Sequence, residues 1–259
     1  MDILMIGCGN MGGAMLRRWV DAVPASYTAI NRTPSAIPAG AGHAGSPDAL
    51  SGRTFDAIVI AVKPQQIADI VPAYMPFLKD DGCVISIAAG FSIASMKAAL
   101  GDRPAIRIMP NLPAQIGRGV NGLYADPSCS PAHRDLADRL AKATGSAIWL
   151  DTEDEIDRIT AVAGSGTGYV FEIARAYVAA AERLGFAPDT ARTLVLETLA
   201  GAVEMAAQSE TSLEDLRNSV MSKKGTTEAG IHALRRDGLL EQLLVETTEA
   251  AYARACELR

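Results

Sequence analysis

An apolar run, Ile3-Leu4-Met5-Ile6, passes directly into Gly7-Cys8-Gly9-Asn10-Met11-Gly12, and a helix-compatible stretch, Gly13-Ala14-Met15-Leu16-Arg17-Arg18-Trp19, follows at once. Strand, glycine-rich turn and helix in that order leave few folds open. The first glycine permits the tight turn, the second lets a pyrophosphate approach the backbone, and the third lets helix pack on strand. The unpaired N–H groups of the helix's first turn then face the phosphates. A lone GxGxxG also marks ordinary turns, but this context is that of a Rossmann-type dinucleotide fingerprint. Gly7, Gly9, Asn10, Met11 and Gly12 are the first expected cofactor contacts.

Which dinucleotide is bound depends on the end of the second strand, Tyr27-Thr28-Ala29-Ile30, where NAD-selective sites place an acid on the ribose 2′-hydroxyl. Here stand Asn31, Arg32 and Thr33. An acid beside a 2′-phosphate would cost roughly 4 kcal/mol per charge pair at about 4 Å and an effective dielectric near 20. A neutral Asn next to a forked Arg donor removes that penalty and suits phosphate. NADP(H) is expected, with NADH as the alternative.

The first half alternates short strand signals with helical stretches. After the two strands come Asp56–Val62, a helical pattern from Gln65 to Leu78, Cys83–Ile87, a helix over Ile93–Leu100, Ala105–Met109, Gly122–Ala125, a helix over Pro131–Ala143 and Ala147–Leu150. This predicts an α/β fold, a doubly wound and mainly parallel sheet with ligands at the carboxyl ends of its strands. Beyond the acidic run Asp151–Glu155 strand signals stop and helical period takes over, as in Phe171, Ala174, Val178 and Ala181. Two domains are expected, a Rossmann domain over residues 1–151 and an all-α domain over 152–259. The second is too alanine-rich to bury its own apolar faces, which predicts a homodimer or larger assembly.

Composition removes several classes. A formal net charge of −6 disfavours nucleic acid and anionic membrane surfaces, and no apolar run reaches the length of a membrane helix. Four cysteines scattered without a CxxC pair fit a reduced, cytoplasmic protein. His43, His133 and His232 lack metal-ligand spacing, so no metal is expected. Gly164-Ser165-Gly166 fails the nucleophile-elbow pattern, and Lys223-Lys224-Gly225-Thr226-Thr227 fails the Walker pattern. The absence of an acid–base pair fits hydride transfer, in which the cofactor carries the hard chemistry. Ala61-Val62-Lys63-Pro64, Ser86–Gly90 and Met109-Pro110-Asn111 end successive strands at the expected cleft, while Ser222–Thr227 forms a hydroxyl-rich turn in the helical half.

In order along the chain, the glycine loop, Asn31-Arg32, Ala61-Val62-Lys63-Pro64, Met109-Pro110-Asn111 and the stretch from Gly225-Thr226-Thr227 to His232-Ala233-Leu234 resemble the pyrroline-5-carboxylate reductases. The resemblance implies reduction of 1-pyrroline-5-carboxylate to L-proline with NAD(P)H, the last step of proline biosynthesis. It also implies a helical domain that dimerises by interlocking, often within a decamer. Carried over, Asn31, Arg32 and Thr33 meet the adenosine 2′ side, Ala61, Val62, Lys63 and Pro64 line the cofactor, and Asn111 lies near the nicotinamide. Ser222, Gly225, Thr226 and Thr227 form the substrate loop, with Thr227 on the ring nitrogen as the catalytic hydroxyl; Lys224, which stands in this loop where the family has glycine, is a further candidate for binding the substrate carboxylate.

Two departures stand out. The family usually writes Ser-Gly-Ser-Gly-Pro-Ala-Tyr where this chain has Ala163-Gly164-Ser165-Gly166-Thr167-Gly168-Tyr169, and Thr-Ser-Pro-Gly-Gly-Thr-Thr where it has Met221-Ser222-Lys223-Lys224-Gly225-Thr226-Thr227. If the replaced glycine has positive φ, Lys224 is strained by about 1 to 2 kcal/mol or the loop is rebuilt. Three other readings stay open: a reductase of another, more acidic cyclic imino acid that uses Lys223 or Lys224; a β-hydroxyacid dehydrogenase; and a non-catalytic NADP(H)-binding regulator. The dehydrogenase reading lacks its lysine, since Glu172 and Arg175 follow the Gly166-Thr167-Gly168 turn.

Overall fold

A computed structural model describes residues 1–258. Its chain divides into two compact units, Met1–Thr167 with the segment from Ala250 onward, and Gly168–Glu249.

The first unit is an eight-stranded sheet in the order β3-β2-β1-β4-β5-β6-β7-β8. Its strands are β1 (Asp2–Ile6), β2 (Ser26–Ile30), β3 (Ala41–Ala44), β4 (Phe55–Ile60), β5 (Leu78–Ser86), β6 (Ala105–Met109), β7 (Gly119–Ala125) and β8 (Gly145–Trp149). All neighbours pair in parallel except β6 and β7. Successive side chains point to opposite faces, so β1 sends Ile3 and Met5 into one core and Leu4 and Ile6 into another. Both faces are covered, as a parallel sheet requires. On the first, α1 (Asn10–Ala22) and α4 (Pro131–Lys142) meet where Trp19 Nε1–H donates to the Leu140 carbonyl at 2.8 Å. On the second lie α2 (Pro64–Ile70) and α3 (Ile93–Leu100), which bury Ile67, Met96 and Leu100.

Local differences from expectation have local causes. The helix expected from Gln65 to Leu78 stops at Ile70 and continues as a 3-10 stretch over Val71–Phe77, because Pro72 offers no N–H and its ring crowds the carbonyl four residues back. β5 begins at Leu78 rather than Cys83, and its register against β4 shifts between Phe55 and Ala57. β3 was not expected at all.

After α5 (Asp154–Ile159) comes a π turn over Thr160–Gly164, closed by Ser165 N–H to the Thr160 carbonyl at 2.8 Å. The remaining helices are α6 (Gly166–Arg183), α7 (Pro188–Ala207), α8 (Leu213–Ser219), α9 (Thr226–Leu234) and α10 (Leu239–Leu258). Within the second unit only Ala181, Ala191 and Val195 form a buried apolar cluster, whereas Leu184, Val203, Met205 and Leu213 are exposed. Among the described residues no helix is long and apolar enough to cross a membrane.

Candidate functional site

The glycine turn works as its residues dictate. Gly7 has φ +92°, and a Cβ there would stand 2.8 Å from Val62 Cγ1 and 2.9 Å from the Ala61 carbonyl oxygen. At Gly12 a Cβ would stand 2.9 Å from Ala61 Cβ, so strand and helix are in contact through the missing side chains. Gly9 precedes α1 and differs: nothing lies within 4 Å of its Cβ position. No side chain caps this helix and its first turn holds no acid, so the N–H groups beside Asn10 and Met11 face an open surface at the positive end of the helix dipole.

Two adjoining grooves flank that entrance, of about 390 and 730 Å³. The first is lined by Gly7, Gly9, Asn31, Arg32, Ala61, Val62 and Lys63. The second is lined by Asn10, Arg17, Asn31 and Thr33, with Gln115 and Ile116 from the turn after β6. Pro64 opens α2 beside Lys63. Arg17, Arg32 and Lys63 charge the two linings, and among the described residues no carboxylate lines either. Glycine cradle, open helix entrance and cationic walls fit a dinucleotide carrying an extra phosphate.

Asn31 is busier than expected. Its Oδ1 accepts from Cys8 N–H at 3.3 Å, its Nδ2–H donates to the Thr33 carbonyl at 3.0 Å, and its own carbonyl accepts from His43 Nε2–H at 3.0 Å. One amide therefore fastens the glycine turn to the loop after β2. An Asp here would lose the donor, which is a structural reason for neutrality separate from the ligand's charge. Burial pushes the Cys8 thiol above its ordinary value, with Arg17 pulling the other way.

Asn111, expected near the nicotinamide, lines neither groove. It is buried, with Nδ2–H donating to the Ala163 carbonyl in the π turn at 3.2 Å and Oδ1 accepting from Val120 N–H at 2.9 Å. Arg17 was not anticipated; Asn10, Gly13 and Arg17 recur at helical spacing on one face of α1, a signal present in the sequence. Asp154, Asp157 and Cys256 place potential ligand atoms within 4.8 Å of one another, but Tyr252 and Arg158 already hold Asp154 at 2.9 and 2.8 Å.

In the second unit, Ser222–Gly225 is a four-residue turn closed by Gly225 N–H to the Ser222 carbonyl at 2.8 Å, and Gly225 stands just ahead of α9. A Cβ at Gly225 would collide with Ser222 Oγ and crowd the Ser222 carbonyl oxygen, so a side chain there would have to displace Ser222. Lys224 adopts φ +60°, which for lysine costs about 1 kcal/mol. Of the two outcomes expected at this position, strain and a rebuilt loop, the chain takes strain. Its N–H donates to Glu228 Oε2 at 2.7 Å and is not free for a ligand. Ser222, Thr226 and Thr227 are exposed at the entrance to α9.

Residues 153–258 match the family described as pyrroline-5-carboxylate reductase dimerisation, and residues 2–90 the family described as NADP oxidoreductase coenzyme F420-dependent. A pyrroline-5-carboxylate reductase from Pseudomonas aeruginosa is 43% identical over 204 residues, 78% of this chain and 74% of that protein. One from Vibrio alginolyticus is 33% identical over 99% of this chain and 97% of its own. The solved pyrroline-5-carboxylate reductase from Coxiella burnetii has a TM-score of 0.90 at 33% identity, covering 99% of this chain and 97% of that one. The Plasmodium falciparum pyrroline carboxylate reductase with NADP bound shares the fold, with a TM-score of 0.87 at 22% identity, covering 100% and 98% of the two chains. Identity of this extent, carried through both halves and matched by the fold, means that the chain belongs to the pyrroline-5-carboxylate reductase family.

Proposed function

We propose that this chain reduces 1-pyrroline-5-carboxylate to L-proline with NADPH. The observation that carries the substrate assignment is the Ser222–Gly225 turn at the mouth of α9, where hydroxyls and a glycine cluster at a positive helix end suited to a carboxylate.

In this reading the open first turn of α1 at Gly9, Asn10 and Met11 receives the pyrophosphate, and Arg32 and Thr33 receive the 2′-phosphate, with Asn31 holding their loop. Ala61, Val62 and Lys63 wall the groove, with Pro64 opening α2 beside them, and Asn111 braces the π turn through the Ala163 carbonyl. The reduced nicotinamide supplies the hydride. Ser222 Oγ–H and the N–H and hydroxyl groups of Thr226 and Thr227 hold the substrate carboxylate. Thr227 Oγ1 also accepts from the protonated imine N–H and so aligns the C=N carbon, which must come within roughly 3 to 3.5 Å of the donor. The iminium nitrogen already carries its proton, so hydride arrival at carbon leaves a neutral secondary amine and no general acid is needed.

The working assembly is a homodimer, with a decamer as the larger state; the exposed apolar helices of the second unit support this. Four free thiols, three of them buried, fit a reducing cytoplasm. The test is NADPH oxidation at 340 nm with pyrroline-5-carboxylate, alongside NADH, with proline identified as product. Turnover with NADPH preferred supports the reading; NADPH binding without proline formation refutes it.

A further inference from the structure

Lys224 occupies a backbone conformation that glycine takes freely and lysine does not. The interaction that holds it comes from one turn ahead: Glu228 folds its carboxylate back over the entrance to α9 and accepts Lys224 N–H at 2.7 Å. The bond is charge-assisted and reaches past Gly225 to the outer half of the turn. Gly225 N–H closes on the Ser222 carbonyl, and Ser222 Oγ fills the space beside Gly225, so Lys224 sits inside a turn whose two ends are tied to each other.

On the reading of this loop as the substrate cradle, we propose that Glu228 is a positioning residue that holds Lys224 in its left-handed turn and thereby keeps Ser222, Thr226 and Thr227 spaced for the substrate carboxylate. It acts through Lys224 and not by touching the substrate. Its charge alone would work in the other direction, since a carboxylate at a helix entrance repels a second one. The two roles therefore predict opposite signs when Glu228 is removed.

The experiment compares Glu228→Ala, Glu228→Gln and the double variant Glu228→Ala, Lys224→Gly in steady-state kinetics with pyrroline-5-carboxylate and NADPH, and in amide hydrogen exchange across residues 222–227. Glu228→Ala is expected to raise KM for the imino acid about tenfold, the effect of losing one charge-assisted hydrogen bond, with KM for NADPH within about twofold. Glu228→Gln keeps an acceptor without the charge and recovers most of the loss. Adding Lys224→Gly, which takes the turn unaided, returns KM to within about threefold of the parent protein. An unchanged or lowered KM in Glu228→Ala, or failure of Lys224→Gly to rescue it, overturns the proposal. A parent protein that does not turn over pyrroline-5-carboxylate refutes the activity instead, and the Lys224 amide then decides alone. Protection lost in Glu228→Ala upholds the clamp, and equal exchange in both proteins overturns it.

Discussion

The sheet unit and the helical unit are built from similar fractions of apolar residues but spend them differently. The first buries side chains on both faces of one sheet, with Trp19, Phe55 and Ile60 inaccessible to solvent. The second shelters four small or branched residues, Ala174, Ala181, Ala191 and Val195, and leaves Val203, Met205 and Leu213 exposed by 67, 67 and 75%. The sheet unit thus carries the information for its own core, whereas the helical unit, matching a dimerisation family, leaves part of its core to be completed by another chain.

Substitutions sharpen this contrast. Trp19→Ala should cost about 3 to 5 kcal/mol of stability in denaturant titration, while Leu213→Ala, exposed in the single chain, should cost under about 0.5 in the same assay run on dilute, dissociated protein. Comparable losses would break the distinction. Gly7→Ala forces a side chain into positive φ and against the Ala61 carbonyl, so the Kd for NADPH, read by fluorescence titration, should weaken about a hundredfold while the helical unit's association is untouched. Conversely, Phe171→Asp with Val203→Asp should weaken dimerisation tenfold or more in light scattering and leave the NADPH Kd unchanged. Arg32→Ala should raise KM for NADPH about tenfold and leave KM for NADH alone. Smallest in energy is a thiol count. Burial raises the pKa of Cys8, holds Cys83 up at about 12 and Cys129 at about 11, so thiolate is scarce at pH 8; half-buried Cys256 should react first with a disulfide reagent, and all four thiols only after unfolding.

The sheet was legible where β-branched runs alternate with helical periods, and the glycine turn was legible because each glycine answers a separate steric demand. β3 was not, since Ala41-Gly42-His43-Ala44 has no residue that favours a pleated surface; it becomes a strand because β2 offers it an edge in register from Tyr27 to Ile30. In the site, the left-handed position at Lys224 was foreseeable from the family's glycine. The reach of Glu228 was not, because a back-folded carboxylate depends on a rotamer and a turn at once. Asn111 shows the same limit: its strand-end address was readable, but its bonds go to a π turn whose extra residue leaves no mark in an alanine- and glycine-rich stretch.

The chain leaves the sheet unit at Thr167 and re-enters it at Ala250, and there Tyr252 bonds Asp154 at 2.9 Å while Leu258 lies against Gly90, whose Cβ position is 2.6 Å from the Leu258 carbonyl oxygen. On the ribosome, at about 5 to 20 residues per second, strands and glycine turn therefore emerge long before the residues that finish packing around them. Nascent chains stalled within α9 should display a formed sheet with an unfinished margin, and that unit reaches its final contacts only when the last turns of α10 clear the exit tunnel.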